Sequence, residues 1–183
     1  MVKKPVEKKQ NHEGLILLVD DEESIRESLG DLLDACGFKV FTADGVDKGI
    51  AVLTQNPGIE TVLSDLKMPV KSGLEMLKHL NDHKISIPII FLTGFGTLES
   101  CQQAVRGGAF DYILKPIEDK EKVLMPLKHA VEKCRLERKN EELRADILLM
   151  AEESQRMIDE ILTQTEHKDL VHERIGKIID KYQ

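Results

Sequence analysis

Tryptophan is absent from this chain, and aromatic residues make up only 4% of it. Aromatic platforms on which single-stranded nucleic acids stack are therefore not expected. A basic stripe is missing as well. The formal charge is −7, which argues against a nucleic-acid footprint. No apolar run approaches the roughly 20 residues that span a bilayer. Residues 1–14 are Lys-rich and polar, without the apolar core or cleavage site of a secretory signal; we read them as a disordered leader and expect a cytoplasmic protein. The three cysteines, Cys36, Cys101 and Cys134, are far apart and form no Cys-x-x-Cys or Cys/His pattern, so reduced thiols packed as small hydrophobes are expected. Beyond Cys134 there is no strand-like run, no proline and, before Gly176, no glycine.

What is present is a chain of 183 residues, 41% hydrophobic and 32% charged, long enough for one domain with a substantial core plus an extension. Its organising stretch is residues 62–69, Val-Leu-Ser-Asp-Leu-Lys-Met-Pro. It reads as a short buried strand that ends on Asp65 and breaks at Pro69, because Asp is poor inside a strand and Pro removes a donor. The same grammar recurs along the chain. Leu15–Val19 is a buried strand followed by Asp20-Asp21-Glu22-Glu23, whose carboxylates suit the start of a helix carrying Ile25, Leu29, Leu32 and Leu33. Further strands are predicted at 39–43, 61–64, 87–92 and 111–114, with helices at 45–55, 72–83 and 97–106 and another from near Glu118.

Strands alternating with helices through short loops imply an α/β fold, a doubly wound five-stranded parallel sheet covered on both faces. Right-handed crossovers put every strand's carboxyl end on one edge. That edge collects Asp20 and Asp21, Asp65, Thr93 and Lys115. Clustered carboxylates repel and call for a counter-charge. Oxygen donors without His or Cys select a hard cation, and Mg2+ tolerates an incomplete protein cage. Such a cation lets an anionic phosphoryl donor approach an anionic Asp, with Lys115 supplying a second positive charge and Thr93 a hydroxyl. Taken singly, each residue has a plainer reading. Asp20 and Asp21 suit a helix start, Thr93 a helix cap, Lys115 a solvated strand end and Tyr112 sheet packing. Together at one edge they favour the phosphoryl chemistry.

At these positions the sequence resembles the receiver domain of two-component response regulators. The matching residues are Asp20-Asp21, Asp65 within Asp-Leu-Lys-Met-Pro, Thr93-Gly94, and Asp-Tyr-Ile-Leu-Lys-Pro at 111–116. The resemblance implies a flavodoxin-like receiver fold over residues 15–133. It implies that Asp65 is the phosphoacceptor, served by a sensor histidine kinase or a histidine phosphotransfer protein. Asp21 would bind Mg2+ directly, Asp20 through water, and the carbonyl of Lys67 would complete the protein ligands. Thr93 and Tyr112 would form the switch pair, and Lys115-Pro116 would be a cis bond. Self-catalysed phosphorylation and dephosphorylation would be the only chemistry, without a separate enzymatic activity. Lys67 and Phe95, each two residues past a site residue, would flank an attacking water and set the phosphoryl lifetime. Haloacid-dehalogenase-type phosphatases also form aspartyl phosphates, but they need Asp-x-Asp after the first strand, where Asp20-Asp21-Glu22 stands.

The extension, residues 134–183, is expected to signal by helix pairing. Leu136, Asn140, Leu143, Ile147, Met150, Ser154, Met157 and Ile161 alternate at intervals of four and three, a heptad seam with Asn140 and Ser154 at a-like positions. We expect a coiled coil over 136–162, a polar break at 163–169 and a short last helix over 170–182. A homodimer through this helix is the first expectation. A folded-back hairpin is the alternative, since Leu148 and Leu149 widen the apolar stripe and Lys139 and Arg144 would repel in a parallel pair. His167 and His172 lack a kinase-like context and are read as surface residues. Two other outputs remain open: a longer regulator whose effector follows Gln183, and a phosphorelay intermediate that passes phosphate onward.

Overall fold

The computed structural model describes residues 12–94 and 98–181, with side chains described at all of these except 98–101, 162, 164–172, 175–176 and 178–181. Five strands and five helices alternate: β1 (Leu15–Val19), α1 (Glu23–Ala35), β2 (Lys39–Ala43), α2 (Val46–Gln55), β3 (Thr61–Asp65), α3 (Gly73–Asp82), β4 (Ile89–Thr93), α4 (Leu98–Arg106), β5 (Asp111–Leu114) and α5 (Glu121–Lys181). The strands form one parallel sheet in the order β2-β1-β3-β4-β5.

The apolar runs explain why the sheet is covered twice. A strand with no polar alternation must bury both faces. Ile16 and Leu18 of β1 pack with Leu29 and Leu33 of α1 and with Val123, Leu127 and Val131 of α5. Leu17 and Val19 face the other way, onto Val46 and Leu53 of α2, Met76, Leu77 and Leu80 of α3 and Ala104 of α4.

Element ends follow local chemistry. The fourth strand begins at Ile89 rather than 87 because Pro88 can accept from Val62 N–H (2.9 Å) but has no N–H to donate. Helix α5 starts at Glu121 rather than 118, where the Asp119 carboxylate accepts from Glu121 N–H at 3.0 Å. Two of the expected domain boundaries move. Glu13 and Gly14, assigned to the leader, already belong to the domain: Glu13 N–H donates to Gly37 O and Lys39 N–H to Gly14 O, both at 2.9 Å. Residues 1–11 lie outside the described residues.

At the other end the first compact unit runs to Glu137 and the second is residues 138–183. The shift from 133 arises because Cys134 is fully buried, Arg135 binds Glu60 and Glu137 accepts from Ser86 Oγ at 2.8 Å.

The second unit is helical throughout its described backbone, including 163–169. The expected polar break is therefore not seen. Polar side chains remove an apolar face but leave the backbone ladder intact. Thr163 Oγ donates back to Asp159 O at 2.8 Å, a local bond that a helix accommodates. A folded-back hairpin needs a turn there, and the backbone supplies none. The seam side chains Leu143, Ile147, Met150, Met157 and Ile161 are all exposed in the single chain.

Candidate phosphoryl site

The sheet order places β1 at the switch point, where the chain moves first to β2 and then across to β3. Ligand clefts in open α/β sheets form at the carboxyl ends beside such a reversal. Asp20 follows β1, Asp65 ends β3 and Thr93 ends β4. All three are buried, with Asp20 fully enclosed. Lys115, just past β5, reaches across the edge and donates to Asp20 Oδ2 at 2.7 Å and to Asp65 Oδ1 at 2.9 Å. Its backbone N–H donates to Thr93 O at 2.8 Å, which sets the root of the side chain beside the site. The Lys115-Pro116 bond is cis.

The other carboxylate oxygens are held by backbone. Asp65 Oδ2 accepts from Lys67 N–H at 2.9 Å, and Asp20 Oδ1 from Glu22 N–H at 3.0 Å. Behind Asp65 the helix α3 approaches closely. A Cβ on Gly73 would stand 2.4 Å from Asp65 O and 2.8 Å from the Phe91 ring, so only glycine fits.

Charge in this pocket is not balanced by the protein alone. Burial pushes the Asp65 carboxyl above the usual carboxylate range, against the opposing pull of the Lys115 bond. Burial also works against the Lys115 charge, but its bonds to Asp20 and Asp65 together outweigh it and hold the ammonium above its ordinary range. Two carboxylates share one ammonium, which leaves a net negative, enclosed site. Thr93 Oγ is buried without a hydrogen-bond partner, a rarity in native interiors that asks for an explanation.

Among the described residues no three Asp, Glu, His or Cys side chains form a ready-made metal cage. The donor set nevertheless fits a hard cation that keeps most of its waters: oxygen atoms only, net negative, and partly enclosed.

The structure thus brings Asp20, Asp65 and Lys115 into contact and sets Thr93 next to them. Asp21 stands exposed at the rim, and its carbonyl, like that of Asp20, accepts from Arg26 Nη1 (2.9 and 2.7 Å). Tyr112 is 46% exposed on β5 and pairs in register with Phe91. Lys67 is exposed and contributes its N–H to Asp65. Phe95 lies outside the described residues. Sequence reasoning missed Arg26, whose signal was a lone cation in the first turn of an acidic helix start. It also missed Gly73, marked only by a Ser-Gly pair at the start of α3.

The Response regulator receiver domain model matches residues 16–126. The chain belongs to the response regulator receiver family. It is 36% identical over 130 residues to the C4-dicarboxylate transport transcriptional regulatory protein DctD of Pseudomonas aeruginosa, a match covering 70% of this chain and 28% of that protein. The transcriptional regulatory protein FixJ of Rhizobium meliloti is 40% identical over 104 residues, covering 56% of this chain and 50% of FixJ. This receiver chain therefore spans only about a quarter to a half of these two relatives. A response regulator receiver domain protein from Clostridium thermocellum superposes with a TM-score of 0.63 at 31% identity, covering 67% of this chain and 98% of that structure. Those fractions agree with a receiver of ordinary size followed by additional helix. No described helix is long and apolar enough to cross a membrane.

Proposed function

We propose that Asp65 accepts a phosphoryl group from the phosphohistidine of a partner histidine kinase or phosphotransfer protein. The observation that carries this reading is Asp65 itself, a buried carboxylate held by Lys115 and Lys67 N–H, with the unpartnered hydroxyl of Thr93 on the same edge. An Asp65 oxygen forms the new P–O bond while the P–N bond to the donor imidazole breaks, and that imidazole leaves neutral after protonation. Lys115 then pairs with a phosphoryl oxygen, and Thr93 Oγ–H donates to another. Asp20, Asp21, Asp65 and the Lys67 carbonyl would hold Mg2+, whose contribution when bound is to neutralise charge between donor and acceptor.

The switch follows from Thr93. A hydroxyl with no resting partner gains one on phosphorylation, so the phosphoryl group favours the conformation that brings Thr93 toward it. The Tyr112 ring then takes up the space released, and the surface formed by α4, β5 and α5 changes. The readout is the helical extension, which pairs with a second copy through its seam, with Ile147 and Ile161 at a positions and Leu143, Met150 and Met157 at d. A second reading rests on relative length: in a longer regulator such as DctD, of which the match covers 28%, the same helix would connect the receiver to an output domain.

The test is intact-mass spectrometry after incubation with phosphoramidate and Mg2+. One phosphoryl group per chain is expected, with none in Asp65→Asn. Undiminished labelling of Asp65→Asn would overturn the assignment. Light scattering with and without beryllofluoride reads the assembly: a change in molar mass that disappears in Ile147→Asp supports pairing through the seam.

A further inference from the structure

Helix α3 ends in a pair of histidines that the phosphoryl chemistry leaves unused. His79 is half-buried and His83 exposed, and their rings lie with centroids 4.1 Å apart, tilted by 30°. Residues four apart share one face of a helix, so both imidazoles leave α3 in the same direction.

The hydrogen bonding fixes the chemistry of one ring. His83 Nδ1 lies 2.9 Å from His79 O. A carbonyl only accepts, so Nδ1–H is the donor and Nε2 carries the lone pair. This is the arrangement that metal-ligating histidines adopt, with the second ring nitrogen tied to a backbone carbonyl that sets tautomer and orientation.

Geometry and field agree with it. Two nitrogen ligands placed tetrahedrally at about 2.0–2.1 Å from a metal stand roughly 3.3 Å apart, so binding requires the His79 ring to turn out of the stack about its side-chain bonds while His83 keeps its bond to the carbonyl. The pair sits at the carboxyl end of α3, where the helix dipole favours a cation. His83 is the residue that follows the last helical position, Asp82.

We infer that His79 and His83 form a two-imidazole site for a borderline divalent transition metal. Cu2+ binds most tightly, with Ni2+ and Zn2+ behind it, in the order that nitrogen ligands impose. Mg2+, which wants oxygen, is excluded, so this site and the acidic edge at Asp65 select different ions. Two ligands leave coordination positions open to water or to a donor from another molecule.

The experiment is calorimetric titration of the full chain with Cu2+ and Zn2+ salts, in a non-coordinating buffer containing excess Mg2+. One site per chain is expected. Its affinity falls on the order of tenfold or more in His79→Ala and in His83→Ala, at least the cost of losing a partner that only supports a ligand, and is unchanged in His129→Ala and Asp65→Asn. The variant His83→Asn keeps a side-chain donor for the His79 carbonyl but has no imidazole, and it too must lose binding. Absence of binding by the wild type overturns the inference, as does equal affinity in the wild type and both histidine variants.

Discussion

Arg135 and Glu60 join the end of the receiver to the amino edge of its sheet. Arg135 Nε donates to Glu60 Oε1 at 2.5 Å and Nη2 to Oε2 at 3.1 Å, while Leu15 N–H donates to the same Oε2 at 2.9 Å. Glu60 is only 7% exposed. Replacing Arg135 by Ala leaves that carboxylate enclosed with one backbone donor. Because the guanidinium is itself about half exposed, the loss is expected near 2 kcal/mol, below the range for a fully buried pair. Urea denaturation measures it, and an unchanged midpoint would contradict the assigned role.

Asp65 makes the metal-free protein less stable than it would otherwise be. Its folded carboxyl titrates above the ordinary 3.8 because burial disfavours the charge. Between 3.8 and that raised value the folded state binds more protons than the unfolded state, so stability falls as pH rises through this window. Asp65→Asn removes the charge. Its melting temperature in chelator is expected above that of the wild type at neutral pH, with the gap closing as pH drops toward and below 3.8. A gap independent of pH would show that the charge is not the cause.

Thr93 is expected to separate resting stability from switching. Its hydroxyl is buried without a partner, and an unmet polar group of this kind costs about 1–3 kcal/mol. Thr93→Val keeps the shape, so the unphosphorylated protein is expected to melt at the same or a higher temperature. The beryllofluoride-induced change in molar mass or in Tyr112 fluorescence is expected to vanish. A Val variant that responds like the wild type would remove Thr93 from the switch.

Val70 stores backbone strain in the open. It is a β-branched residue at φ 68° with its side chain 99% exposed, so no packing compensates for the left-handed conformation. Val70→Asn is expected to raise stability by about 1 kcal/mol, since Asn visits this region more readily. A chemical-denaturation midpoint that falls instead would mean that the Val side chain is held by something other than its backbone.

Much of the site was legible because strand ends announce themselves. Each apolar run stops at a polar residue, and in a parallel sheet those stops share one edge, so Asp20, Asp65, Thr93 and Lys115 could be gathered without coordinates. What remained hidden depended on partners distant in sequence. Glu60 and Arg135, 75 residues apart, carry no local signal in the sequence, and only the fold sets them side by side. Gly73 gave no sign that Asp65 O stands against it. The helix through 163–169 was misjudged because polarity was read as a stop signal, whereas only a lost donor or a flexible backbone reliably ends a helix. His79 and His83 were visible at helical spacing, but the bond that fixes the tautomer of His83 was not.

For anyone rewiring this regulator to a new kinase, the loop after β3 divides into a frozen residue and free ones. Position 73 has no mutational freedom, because any side chain there would shoulder aside the backbone that presents Asp65. Positions 67 and 70 face outward and can be diversified without touching the core. A library built on that division would vary the outward surface beside the site while leaving the Asp65 carboxylate and its Lys115 contact in place.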